Sequence, residues 1–525
     1  MSLSIIIWLP IAIGILAALL PSRLSGYAAA VGSLAPVAIA IDLLARFHRG
    51  AGLQFVTDRL WISSLGIHYK LALTGLNVTL VLMVTVLFTA SLIWSAAHGV
   101  NRPRLFVLLM GIAQSGVLGA FLCQDVILFV GFFDLMLIPF YFLTAVWGSG
   151  DRMHATLMMI VYTAVGSFLM LVGAIAVGVI SASDHHTAIN FTYQWLAAHP
   201  VSTRTGEWIF LCFAIAFLIK MPLAPFHGWL PDVYKSLPIP AVAVFSGLLS
   251  KVAAYGFLAI VLPIFPSATR HFQTLVLIIA LVSLGWSTLM AFTTRDARLV
   301  IAYSSIAQMS FITLGIFSLR PIGAEGALLQ MINHGIVTAA SFFVLAAVAA
   351  RCGGSEKIDD MGGVAFRAPV LASMFLIVAM ATLAMPGSGN FIGEFMILLG
   401  VFQSKLVIAV IGSVAMVGAA VYALRLFIGS MHNRVRAGVR SREMLPIEAV
   451  AIVPLVLAIL ALAFYPQFGL SHSDPAARFT VAAARGEAAW WSYPPATASV
   501  GGHAVTASAD AGTAPTIAPQ TGESR

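Results

Sequence analysis

The stretch Ile219-Lys220-Met221-Pro222-Leu223-Ala224-Pro225-Phe226-His227-Gly228-Trp229-Leu230-Pro231-Asp232 decides the architecture. It begins inside an apolar block, 207–230, long enough for a hydrocarbon core about 30 Å thick, which takes roughly 20 helical residues to cross. Pro222, Pro225 and Pro231 each remove a backbone donor and clash with the carbonyl four residues back, so the helix is predicted to break or kink here. Lys220 sits beside that break, where burying a charge costs about 2.5–3.5 kcal/mol on insertion scales. A broken membrane helix carrying an amine reads as part of a transport path rather than an anchor.

A second block repeats the pattern. The range 367–403 is too long for one straight crossing, and Met385-Pro386-Gly387-Ser388-Gly389-Asn390 supplies its break, followed by Phe391-Ile392-Gly393-Glu394. Two interrupted helices five spans apart suggest two structural repeats, near spans 4–8 and 9–13. Working outward, windows of about 20 residues give fourteen candidate spans: 2–22, 25–47, 71–97, 103–120, 122–147, 155–182, 207–230, 238–264, 271–292, 297–319, 324–350, 367–403, 405–432 and 447–466. The fold class is therefore all-α and polytopic, with about fourteen transmembrane helices, of which the seventh and twelfth are broken. Residues 1–466 form the membrane domain. Residues 467–525, rich in Ala, Ser, Thr, Gly and Pro, read as a polar, disordered tail in which Trp490-Trp491-Ser492-Tyr493 is the one aromatic cluster. The first span follows Met1 without a basic leader and reads as a retained helix rather than a signal peptide.

Composition agrees. The 525 residues are 60% hydrophobic and 9% charged, against about 25% charged in soluble domains, which excludes an ordinary cytosolic enzyme. Cys123, Cys212 and Cys352 are isolated and form no CxxC pair, and no phosphate-binding GxxxxGK[ST] loop occurs. The chain is thus expected to hold no cofactor, metal or nucleotide of its own. The net charge of +8 is better read by position. With both termini outside, the inner loops hold fourteen basic residues, among them Arg295, Arg298, Arg351 and the run from Arg434 to Arg442. The short loops favour that orientation, and anionic lipid headgroups account for the charge without nucleic acid.

Ionisable residues inside the spans locate the chemistry. They are Lys220, Lys251, Asp134, Glu394, His227, His334 and Arg425, with Asp42, Asp125 and Glu325 nearer span ends. A carboxylate at Asp134 is either neutral by burial or paired with Lys220. Such a pair would hold the ammonium charged, and its separation would let the buried lysine release its proton. His227 lies seven residues after Lys220, the same face of an undistorted helix, and is as readily a packed core histidine as a relay. Lys251 has apolar neighbours on both sides, which argues against snorkelling. Acid, lysine, lysine, histidine and acid in series suit proton movement and no hydrolytic reaction, since no activated nucleophile accompanies them. Asp296 and Arg298 at the start of the tenth span read as a structural cytoplasmic anchor.

Phe132-Phe133-Asp134-Leu135-Met136-Leu137-Ile138-Pro139-Phe140-Tyr141-Phe142, the Lys220–Asp232 stretch, Ile301-Ala302-Tyr303-Ser304-Ser305 and Met385–Phe395 together resemble the subunit M family of respiratory complex I, the antiporter-like subunit related to mitochondrial subunit 4. The resemblance covers roughly 70–466. It implies two inverted five-helix repeats, a proton channel, and a bacterial inner membrane location. It also implies neighbouring L-like and N-like antiporter subunits, with flavin and iron–sulfur centres confined to partner subunits. Residue by residue, it implies that Asp134 stands for the family's helix 5 glutamate, Lys220 for the helix 7 lysine and Lys251 for the helix 8 lysine. His334 stands for the helix 11 histidine and Glu394 for the helix 12 glutamate. The sequence departs from the family at Asp134, one methylene shorter than glutamate, at Gln308 in place of a histidine, and at Thr74-Gly75 in place of Asp-Gly. The function implied is proton translocation coupled to quinone reduction by NADH. The alternatives are an Mrp-type sodium/proton antiporter subunit, a membrane-arm subunit of a hydrogenase or formate-oxidising complex, and a purely structural subunit.

Overall fold

The computed structural model describes residues 2–50, 52–436 and 438–488, and the Trp490–Tyr493 cluster lies outside them. Helices dominate: α1 (Leu3–Leu19), α2 (Ser22–Gly32), α3 (Leu34–Ala45), α4 (Val78–His98), α5 (Pro103–Leu122), α6 (Val126–Trp147), α7 (Arg152–Asp184), α8 (Tyr193–Ala198), α9 (Thr203–Lys220), α10 (Trp229–Ser236), α11 (Ile239–Gly256), α12 (Leu262–Ile264), α13 (Pro266–Thr293), α14 (Ala297–Phe317), α15 (Pro321–Arg351), α16 (Pro369–Thr382), α17 (Gly389–Ser404), α18 (Leu406–Met431), α19 (Pro446–Phe464) and α20 (Gln467–Arg485). Each of the fourteen apolar ranges contains helix among the described residues, and eleven helical segments are long and apolar enough to cross a membrane. In a membrane, helix is the one open-ended structure that satisfies every backbone group internally.

Both breaks fall where the prolines and glycines place them. α9 stops at Lys220 and helix resumes at Trp229; α16 stops at Thr382 and α17 starts at Gly389. In the first gap the Trp229 indole donates to the Ile219 carbonyl at 3.1 Å, satisfying an acceptor that the helix end leaves open. A third irregularity was not anticipated. After α11 the chain makes a π-helical turn, Phe257–Val261, because Pro263 cannot donate to the carbonyl of Ala259 and the helix must widen around it.

Two segments differ from expectation. Between the second and third apolar ranges, where no span was assigned, the chain forms an antiparallel hairpin, β1 (Gln54–Ile62) and β2 (Ile67–Leu73), whose end runs into the third range. Its turn needs Gly66, which has φ +64° and where a Cβ would lie 1.8 Å from the Ile189 carbonyl oxygen. Gly66→Ala is therefore expected to lower stability by about 2 kcal/mol or more, read as a lower thermal midpoint of the purified protein. The assignment of 467–525 to a disordered tail fails over 467–485. These residues form α20, which buries Gly469, His472, Ser473, Ala476, Ala477, Thr480, Val481, Ala483 and Ala484 against α4, α13 and α15. Small residues on a helical face pack closely without raising hydropathy, so an apolar-block search passes over them.

The charged anchors are also more deeply engaged than positive-inside counting implies. Arg298 has contacts of the kind a structural anchor needs: its side chain is 7% exposed, pairs with Glu356, and donates to the carbonyls of Tyr234, Lys235 and Leu237 at the end of α10. A cation there complements the negative helix terminus. Arg425 does the same for α13 through the carbonyls of Phe292 and Thr294. Arg351 is fully buried against Glu448. Asp125 caps α6 through the amides of Ile127 and Leu128, and Asp42 pairs with Arg46.

Candidate functional site

The site begins at the first break. Lys220 is the last residue of α9, where the negative end of the helix dipole favours a cation, and it is fully buried. Its Nζ lies 3.4 Å from Asp134 Oδ1 on α6 and 2.8 Å from the Ser167 hydroxyl on α7, above the face of Phe133 at 3.8 Å. Ser167 in turn donates to Asp134. The short aspartate is thus bridged to the lysine by a side-chain hydroxyl, which supplies the reach that the missing methylene removes. Asp134 is 42% exposed on the surface of this chain while Lys220 is sealed inside.

α11 packs against both α9 and α15 and carries the next group inward. Lys251 is fully buried; Nζ donates to the Ser246 carbonyl at 2.6 Å, and no carboxylate pairs with it among the described residues. α11 and α15 approach closely at Gly247 and Gly335, where a Cβ on Gly247 would meet the Gly335 carbonyl oxygen at 3.2 Å. That contact brings His334 within electrostatic reach of Lys251. His334 shares a 2.8 Å hydrogen bond with Thr338 through Nε2, and its buried Nδ1 has no partner among the described residues.

Beyond His334 lies a cavity of about 30 Å³, room for one or two waters. Gln308, His334, Thr338, Asn390 and Tyr422 line it. Around it, both amide atoms of Asn333 and of Asn390, the Tyr422 hydroxyl and Gln330 Oε1 are buried without hydrogen-bond partners among the described residues. Native interiors rarely leave polar atoms unpaired, so this concentration marks a place for internal water. From the lining Gln308 the path leads to Glu394, on α17, which is fully buried and accepts from Gln308 Nε2 at 2.7 Å and from Gln330 Nε2 at 3.5 Å.

The structure therefore brings Asp134 to Lys220 and Glu394 to Gln308, and sets His334 within electrostatic reach of Lys251. It does not bring His227 to Lys220. The non-helical break between them resets the helical phase, and His227 instead accepts from the Trp286 indole at 3.0 Å on α13. Ser167, Gln330, Asn333 and Asn390 were not singled out from sequence, because a search for charges passes over neutral polar residues. A signal existed: Gln330, Asn333 and His334 share one face of α15 at i, i+3 and i+4.

Comparison with known proteins accords with this geometry. Residues 123–419 match the family described as NADH:quinone oxidoreductase/Mrp antiporter, TM. NADH-quinone oxidoreductase subunit M of Rhodobacter capsulatus is 33% identical over 490 residues, covering 88% of this chain and 93% of the relative. The subunit M of Mycobacterium tuberculosis strain H37Rv is 34% identical over 519 residues, covering 91% and 93%. Among solved structures, respiratory complex I from Thermus thermophilus with bound NADH aligns with a TM-score of 0.84 at 27% identity, covering 92% of this chain and 100% of that one. The Mrp complex from Dietzia shares the fold, with a TM-score of 0.80 at 19% identity and coverage of 94% and 98%. The chain belongs to the NADH:quinone oxidoreductase/Mrp antiporter family, among the antiporter-like M subunits of NADH-quinone oxidoreductase.

Proposed function

We propose that this chain conducts protons across a bacterial inner membrane through Asp134, Lys220, Lys251, His334 and Glu394, driven by quinone reduction in partner subunits. The observation that carries the reading is Lys251, a fully buried amine on α11, the helix that follows the first break, with no carboxylate partner among the described residues. A lysine kept in such a place has no stabilising role that an apolar residue would not fill better. In this reading the chain holds no redox centre, and termini facing outward set the direction of travel from the inner loops to the outer side.

The relay follows the packing order α6, α7, α9, α11, α15, α17, with α7 contributing Ser167 between the first two charged groups. With Asp134 beside it, Lys220 is held as an ammonium, and its charge discourages a second one at Lys251. When a neighbouring subunit draws Asp134 away, Lys220 loses its counter-charge and Lys251 becomes the better proton acceptor. Restoring the pair expels the Lys251 proton toward His334, through the hydrated cavity, and on to Glu394. The exposed Asp134 supports such a neighbour, because a carboxylate facing hydrocarbon is far costlier than one covered by polar protein. L-like and N-like antiporter subunits are the partners that suit this face. His227, on the Trp286 side of the break, stands outside the relay.

Ser167→Ala removes the hydroxyl that links the first pair. A hydrogen bond to a charged group contributes about 1.5–3 kcal/mol, so proton pumping by the reconstituted complex should fall about tenfold while assembly persists. Unchanged pumping would show that Asp134 and Lys220 act without the bridge. The reading as a whole is tested by NADH-driven acidification of inverted membrane vesicles containing the complex, with Glu394→Gln expected to stop it.

A further inference from the structure

We propose that Gln308, oriented by Gln330, is a positioning residue that binds one oxygen of Glu394 and leaves the other as the oxygen that exchanges the proton. The inference rests on the proton-path reading above and adds a role to a position where that path has no titratable group. Gln308 Nε2 donates to Glu394 Oε1 at 2.7 Å, and its Oε1 accepts from Gln330 Nε2 at 2.7 Å. Gln330 Nε2 also approaches Glu394 Oε1 at 3.5 Å. All three side chains are buried.

This triangle has a direction. An amide offers its donors at one end and its acceptor at the other, while an ionised carboxylate only accepts. Gln308 must therefore present nitrogen to Glu394, which leaves its oxygen for Gln330. Turning Gln308 round would set oxygen against oxygen and break the Gln330 bond as well. The backbone is cut to fit: at Gly393 a Cβ would lie 2.4 Å from Gln330 Oε1, so the residue beside the glutamate leaves room for the second amide.

Both amides converge on Oε1, so Oε2 is left for exchange. On the other side Tyr422 lies within electrostatic reach of Glu394, its hydroxyl buried without a hydrogen-bond partner among the described residues, at the cavity shared with His334 and Asn390. A proton arriving from the cavity adds to Oε2, giving a neutral carboxyl, and leaves from the same oxygen to restore the carboxylate. Gln308 gains and loses nothing but the strength of its hydrogen bond, so it cannot short-circuit the path. The other charged groups on helices packed against α17 are committed elsewhere: Glu325 to Arg478, His334 to Thr338, Arg298 to Glu356, Arg351 to Glu448 and Arg425 to the end of α13, while Tyr303 on α14 faces Asp232.

The test uses the assembled complex in proteoliposomes, with NADH turnover, pumping and the Glu394 carboxyl infrared band followed against pH. Gln308→Met keeps the volume and removes the donor. It is expected to move the pH midpoint of pumping toward alkaline by about one to two units, since a carboxylate that loses a charge-assisted hydrogen bond holds its proton more firmly. Gln330→Met should give a smaller shift in the same direction, and it carries the test if the first variant does not assemble. A wild-type profile and band in the assembled variants would overturn the proposal. If Glu394→Gln pumps normally, the proton path itself fails. If it stops pumping while Gln308→Met retains the wild-type profile, the positioning role alone fails.

Discussion

Replacing Lys251 with alanine is expected to abolish proton pumping while the complex still assembles. The side chain is fully buried and donates only to Ser246 of its own helix among the described residues, so its removal leaves no partner charge stranded. Burying an ammonium without a counter-ion is costly, and alanine is a good helix former, so the fold should be unchanged or slightly firmer. Inverted vesicles carrying the variant should oxidise NADH with little or no acidification. Full acidification would exclude Lys251 from the path.

The second large effect is structural. Arg351, at the end of α15, is fully buried and pairs with both carboxylate oxygens of Glu448 at 3.0 and 2.8 Å. Its other donors reach the carbonyls of Ala347, Arg442 and Glu443. Glu443, in the loop before α19, caps α16 through the amides of Val370 and Leu371. Burial pushes the Glu443 carboxyl up, but those amides, that of Met444 and the Arg351 charge outweigh it and hold it below the usual carboxylate range. One guanidinium thus ties α15, α16 and α19 together on one side of the protein. Arg351→Ala would strand the Glu448 carboxylate, at a cost of about 3–5 kcal/mol. The expected result is a sharp loss of assembled complex in membranes and a lower thermal midpoint in detergent. Arg351→Lys keeps the charge but not the planar fork, and should recover only part of the loss. Wild-type thermal stability in Arg351→Ala would contradict this account.

Long-range features of this kind explain what the sequence could and could not reveal. Apolar blocks, proline breaks and the few buried charges are local properties of the chain, so the helical architecture and the positions of Lys220, Lys251 and Glu394 were legible directly. Arg351 and Glu448 are 97 residues apart, and nothing in either neighbourhood names the other. Ser167 is one hydroxyl among many until folding places it between Asp134 and Lys220. The β1–β2 hairpin escaped because a membrane-span search reads only apolar length. The helix α20 escaped because most of its buried face is small, with alanine, glycine and serine beside His472, Thr480 and Val481. His227 was misplaced for a geometric reason: helical spacing was carried across a break that the same prolines predict. Gln308 stood out in the sequence only as a departure from the family's histidine, and folding shows that it holds the glutamate.

The central claim is that Lys251 must release its proton as well as carry it. Lys251→Arg separates the two, because arginine preserves the positive charge and most of the volume but does not give up its proton in a protein. The decisive measurement is NADH-driven proton uptake into proteoliposomes containing the assembled complex with this substitution. The account predicts assembly and NADH oxidation with pumping lost, as in Lys251→Ala. Pumping at the wild-type ratio of protons to NADH would contradict it.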